Sequence, residues 1–316
     1  MTSLLSSILS VVVMTSFVLG NSANIFIAMG NCLDWVKSHK VSTADGILTA
    51  LAVSRIGMLW LILLNWCSTV LNPALVTSEV QMIISNTWTV TNHFNLWFTA
   101  ILSLFYLLKI ANFSNLVFLH LKNRVKYVIV QIMLVNFVFL VCQLAVLNID
   151  LRIWKKELEG NVTRKVELRD AVKISHISLY TLLTFIPFVI SLICFLLLAC
   201  SLWKHLRNVR HHGQGFLPSS TKVHVKAMQT VVSFLLLFVI YFISFVISLW
   251  DFDTSLSKTV KMTCQAIGIL YPANHSFILI WGSKKLKQTF LSGLWQMRYW
   301  IQGPSSQLSD LRGLQD

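Results

Sequence analysis

Residues 47–70 read ILTALAVSRIGMLWLILLNWCSTV, and this stretch decides the fold. One formal charge, Arg55, interrupts an otherwise apolar run, and no proline breaks it. As a helix rising 1.5 Å per residue, the run extends roughly 36 Å, enough to cross a hydrocarbon core about 30 Å thick. The apolar residues are continuous and do not alternate, so the run reads as a membrane helix and not as a barrel strand. Working outward, similar runs recur at about 4–30, 86–108, 128–149, 178–202, 228–250 and 261–282. The weakest is 86–108, which carries Asn86, Asn92, His93 and Asn95 among its apolar residues.

The composition agrees. Hydrophobic residues make up 55% of the 316-residue chain and charged residues 12%, where soluble domains carry about 25% charged residues. Mean hydropathy is +0.69. Such a chain cannot cover a water-facing surface, which excludes a soluble enzyme, and it is too apolar to be disordered. The expected fold is an all-α membrane protein: a seven-transmembrane helix bundle within residues 1–302. A short amphipathic helix follows span seven at about 284–300, and a polar, disordered tail covers 303–316.

The formal net charge of +14 falls unevenly. With the N-terminus outside, most Lys and Arg lie on short inner segments, among them Lys109, Lys122, Arg124, Lys126, Lys204, Arg207, Lys284 and Lys285. The outer loop at 150–178 is nearly balanced by its acids. That asymmetry satisfies the positive-inside rule and points to lipid headgroups, not nucleic acid, as the partner of the basic charge. Residues 1–20 lack a basic leader and their apolar run continues past Gly20, so they read as an uncleaved first span. Of three sequons, at Asn112, Asn161 and Asn274, only Asn161 falls in an outer loop, making it the expected glycosylation site. The six cysteines sit in or beside spans, so no disulfide framework is expected, and the histidines near 205–224 lack metal-ligand spacing. No cofactor and no metal are expected.

Polar groups inside spans are costly and therefore informative. An arginine near mid-bilayer costs about 2.5–3.5 kcal/mol on insertion scales, so Arg55 should face the bundle. Counting heights along each span puts Asn24 and Ser276 level with it. The expectation is a polar layer of Asn24, Arg55 and Ser276 that joins helices and changes between states. Nearer the outside, Trp66, Trp88, Asn92, Tyr241 and Gln265 converge from four spans as aromatic rings and neutral amides, the chemistry of a small-molecule pocket. No acid accompanies them, which argues against a strict aminergic ligand. Pro187 and Pro272 should kink spans five and seven. Leu286, Phe290, Leu294 and Met297 recur at helical spacing among basic residues, the pattern of an interfacial amphipathic helix.

Four blocks carry a family resemblance. Span one has Gly20 and Asn21 followed by Asn24. Span two has Leu48, Thr49, Ala50, Leu51, Ala52, Val53, Ser54 and Arg55. Span three ends FYLLKIANFS at 105–114, and span seven ends HSFILIWG at 275–282 before Lys284, Lys285 and Leu286. In order and spacing these resemble the type 2 taste receptors, the bitter receptors among the G-protein-coupled receptors, over nearly the whole chain. The resemblance implies a plasma-membrane receptor, not an enzyme, that binds small bitter compounds. It also implies Tyr106 and Lys109 facing a heterotrimeric G protein with a gustducin-type alpha subunit and its beta–gamma pair. Two positions depart from the family pattern: Ser283 stands where asparagine is common, and Gln265 stands where some relatives have an acid. The alternatives are a vomeronasal-type chemoreceptor and, in a different class, a small polytopic transporter. Against the transporter, no continuous charged path or inverted repeat is visible.

Overall fold

The computed structural model describes residues 2–39, 42–70, 77–111, 113–158, 166–212, 219–249 and 258–302, and among these the chain is helical with no strand. Seven long helices form the bundle: α1 (Thr2–Ser38), α2 (Thr43–Val70), α3 (Ser78–Ile110), α5 (Val125–Leu158), α6 (Val166–His212), α7 (Ser219–Leu249) and α8 (Lys258–Gly282). A short α4 (Leu116–Asn123) lies between α3 and α5, and α9 (Lys284–Gln302) follows α8. The end of the bundle where α1 begins is called upper here and the opposite end lower.

The helices run past the apolar spans that mark them. The charged segment LRIWKKEL at 151–158, expected as loop, continues α5. Likewise α6 starts at Val166 and runs through His212, so most of the expected 150–178 loop and part of the inner loop near 205–224 are helix. Hydropathy reports where lipid ends, whereas helix propensity in Leu, Lys, Glu and Arg carries the backbone hydrogen bonds onward. Asn112, Asn161 and the tail from 303 lie outside the described residues.

Six of the seven long helices are long and apolar enough to cross a membrane by composition alone. The seventh, α8, carries Gln265, Asn274, His275 and Ser276 and falls short of that standard. Its place explains this: it packs against α1, α2 and α7, so His275 and Ser276 are buried in protein, while Asn274 is exposed. The α1–α8 contact is close. A Cβ added at Gly20 would stand 2.8 Å from Ala273 Cβ, so two small residues let these helices approach. Pro187 and Pro272 both sit inside continuous helices. The Pro187 carbonyl accepts a hydrogen bond from the Ser191 hydroxyl one turn on at 2.8 Å, and Ser276 Oγ lies 3.0 Å from the Pro272 carbonyl.

An aromatic core fills the middle and upper bundle. Phe188 stacks on Phe242 at 3.8 Å, and Phe234, Phe238, Tyr241 and Tyr271 continue the contact across α7 and α8. A lower core joins Leu51, Ile101, Leu102 and Ile280 to Leu286 of α9, which is 2% exposed. α5 stands at the edge, with Val130, Leu134, Phe137, Val138 and Val141 exposed, as a lipid-facing helix should.

Candidate functional site

Arg55 is fully buried, and its surroundings set the direction of every hydrogen bond near it. A guanidinium only donates. Nε gives to Asn95 Oδ1 at 3.2 Å, Nη1 to Ser276 Oγ at 3.4 Å and Nη2 to Tyr271 OH at 3.3 Å. Nη2 also meets His275 Nδ1, which must accept and so leaves the ring hydrogen on Nε2. The Tyr271 oxygen accepts from arginine, so its own hydrogen is free for Thr99 Oγ1 at 3.0 Å. In the same way Ser276 accepts from Arg55 and donates to Asn24 Oδ1 at 2.7 Å, and Asn24 Nδ2 donates to the carbonyls of Gly20 and Pro272. The layer thus joins α1, α2, α3 and α8 around one cation. The acceptors of Arg55 are neutral oxygens and an imidazole nitrogen, so the charge is held by dipoles.

Above this layer lies a cavity of about 420 Å³, open at the upper end. Trp88, Tyr241 and Gln265 line it, together with Asn65, Gln81, His176 and Lys261. Gln265 Oε1 is buried without a hydrogen-bond partner. At the floor, Tyr241 donates to Asn92 Oδ1 at 2.5 Å while Asn92 Nδ2 donates to Tyr180 OH at 3.1 Å. The Tyr241 ring also stacks on Tyr271 at 4.8 Å, and Tyr271 is a member of the Arg55 layer. Cavity and layer are therefore one contiguous structure.

The lower face is built around α9. Ser283 Oγ accepts from Leu286 N at 3.3 Å, capping the helix. Serine and asparagine are equivalent as caps, which accounts for serine at this position. Lys285 spans Asp34 of α1 at 2.8 Å and Asp45 of α2 at 3.1 Å. Burial lowers the Lys285 amine, but its hydrogen bonds to the two aspartates and their charges outweigh that and hold it above the usual lysine range. Phe290 packs edge-on against Phe26 at 5.3 Å, while Leu294 and Trp295 are exposed beside the bundle. Tyr106 is half-buried at the lower end of α3, and Lys109 lies exposed with Nζ 5.5 Å from the Phe105 ring centroid. On α4, Leu116 and Val117 are 84% and 68% exposed, an apolar face open to a partner.

The profile of the taste receptor protein family (TAS2R) matches residues 1–298. The chain belongs to the type 2 taste receptor family. It is 58% identical to taste receptor type 2 member 19 of Pan paniscus over 92% of this chain and 97% of that one. It is 57% identical to member 19 of Homo sapiens, over 91% of this chain and 96% of that one. With member 46 of Homo sapiens the identity is 54%, covering 97% of this chain and all of the relative. The taste receptor chain is accordingly a multi-pass membrane protein of the bitter-receptor family, a family of G-protein-coupled receptors and not of enzymes.

Of the residues that the sequence singles out in this receptor, Trp88, Tyr241 and Gln265 share the cavity. Trp66 and Asn92 do not line it. Trp66 is 3% exposed and packs in the aromatic core, and Asn92 is wholly buried beneath the floor, its amide spent on two tyrosines. His176 and Lys261 are cavity residues that hydropathy passes over: His176 stands in the expected 150–178 loop, and Lys261 is the charged first residue of the expected seventh span. The signal for His176 was available in the helical spacing from His176 to Tyr180, one turn along a single face. All six cysteines are free.

Proposed function

We propose that this receptor binds small bitter compounds in the upper cavity, with the upper end extracellular, and signals through a gustducin-type G protein at the lower face. One observation carries the reading. The cavity wall residue Tyr241 stacks directly on Tyr271, a hydrogen-bond partner of the buried Arg55. An agonist packed on Trp88 and Tyr241 therefore presses on the layer that ties α1, α2, α3 and α8 together. A ligand that fits one arrangement of that layer better than the other shifts the population between them. Gln265, with an unpartnered amide oxygen, supplies a polar anchor that donates or accepts. A wall that mixes the rings of Trp88, Tyr180, Tyr241 and Phe245 with aliphatic and small polar side chains tolerates many shapes, the property expected of a broadly tuned receptor.

At the lower face, Tyr106, Lys109 and the exposed residues of α4 are the surface offered to the G-protein alpha subunit. α9 lies along the inner membrane surface with Leu294 and Trp295 in lipid, and Asn161 carries the glycan. The decisive experiment is calcium imaging of cells expressing the chain with a gustducin-type alpha subunit, against a bitter-compound panel. Responses should appear, require the G protein, and weaken in Trp88→Ala at equal surface expression. Responses of normal potency in Trp88→Ala would place the agonist elsewhere.

A further inference from the structure

His176, on α6, lines the upper cavity, yet nothing in the mechanism above uses its polar atoms. Its Nδ1 lies 3.0 Å from Oδ2 of Asp150, on α5, with the two side chains 17% and 20% exposed. An ionised carboxylate only accepts, so the hydrogen between the two groups sits on Nδ1. With Nδ1 engaged, the neutral imidazole has one remaining polar atom, Nε2, and it is a lone pair. A carboxylate behind a histidine fixes which nitrogen carries the hydrogen and makes the opposite nitrogen a better acceptor. Asp150 itself does not line the cavity, and no carboxylate does among the described residues. The acid is felt in the cavity only through the ring. An ammonium group finds no direct counter-charge there, whereas a neutral O–H finds an acceptor of enhanced strength.

We propose that His176 is a specificity-determining residue whose Nε2 accepts a hydrogen bond from a hydroxyl of the agonist, with Asp150 as the positioning residue that holds the ring and its tautomer. The proposal rests on the upper cavity being the agonist site. It selects compact, largely apolar compounds that carry a free hydroxyl over the same compounds with that hydroxyl capped. Gln265 does not make this distinction, because an amide both donates and accepts.

The test uses the full chain in the calcium assay, with each hydroxyl-bearing panel compound that activates the wild type and its O-methyl ether as paired probes. Wild type should respond to the hydroxyl compound at lower concentration than to the ether. His176→Asn keeps a side-chain N–H for Asp150 but has nothing in place of Nε2. It should cost the hydroxyl compound about tenfold in potency and leave the ether within about twofold. His176→Phe should abolish the preference as well. Asp150→Asn, whose amide either accepts or donates, releases the tautomer and should narrow the preference without abolishing the response. Surface expression is measured for every variant, and Asp150→Asn supplies the readout if a His176 variant fails to reach the surface. Equal shifts for both probes in the His176 variants, or no wild-type preference, would overturn the proposal and leave the pair as a mere tie between α5 and α6. A potency unchanged in Trp88→Ala would instead remove the agonist-site reading beneath it.

Discussion

At the scale of single residues, the cavity and the layer below it answer differently to mutation. Trp88→Ala deletes an aromatic wall and should cost about 2–4 kcal/mol for an agonist packed there, a potency loss of at least about thirtyfold. Tyr241→Phe is a subtler case. Its hydroxyl is spent on Asn92, so the loss, about 0.5–1.5 kcal/mol, should fall on all agonists alike. A concentration–response series over chemically unrelated agonists separates the two patterns. For Arg55→Leu, four acceptors on two helices, α3 and α8, lose their donor at once. Maximal or basal signalling should change more than EC50, read as the two parameters of one dose–response curve. Counting 1.5 Å per residue puts Asn24, Arg55 and Ser276 at one height, which is why sequence alone can name them together. Asn95, Tyr271 and His275 complete the same network but escape that count. Which way a side chain points around a helix axis depends on packing, not on height.

At the scale of elements, two contacts invite a test. Gly20→Val places a branched side chain where even a Cβ meets Ala273 Cβ at 2.8 Å. It should push α1 from α8 and destabilise the bundle by about 1–3 kcal/mol. Thermal unfolding of the detergent-purified receptor measures this, and Ala273→Gly should restore part of the loss to Gly20→Ala. The second contact is Lys285 between Asp34 and Asp45. A raised amine contributes fully below the ordinary lysine value and is lost only as pH rises through the folded one. Protection of the α9 amides, read as exchange rate relative to an unstructured peptide at the same pH, should therefore persist through the ordinary lysine value of about 10.4. In Lys285→Met, exchange should be faster at every pH, and added salt should weaken the wild-type contact, since the groups are partly exposed. The spans were legible because burial in lipid writes itself as continuous hydropathy. The upper ends of α5 and α6 were not, because Asp150 and His176 look like loop residues until the two helices place them against each other.

At the scale of the whole molecule, topology is the quantity to check. With the upper end outside, Asn161→Gln should remove one endoglycosidase-sensitive shift on a gel, and Asn112→Gln should change nothing. A shift that persists without Asn161 would reverse the orientation. α8 also has a consequence for how the receptor is made. Taken alone, its Gln265, Asn274, His275 and Ser276 make it a poor substrate for the translocon, which releases segments to lipid according to their apolarity. Its partners are Gly20 and Asn24 on α1 and Arg55 on α2, all synthesised far earlier. Arg55, in turn, waits in the nascent bundle for acceptors that arrive only with α8. Biosynthesis of this receptor therefore ends on a mutual rescue, in which the last helix admitted to the membrane neutralises the cost of a charge inserted among the first.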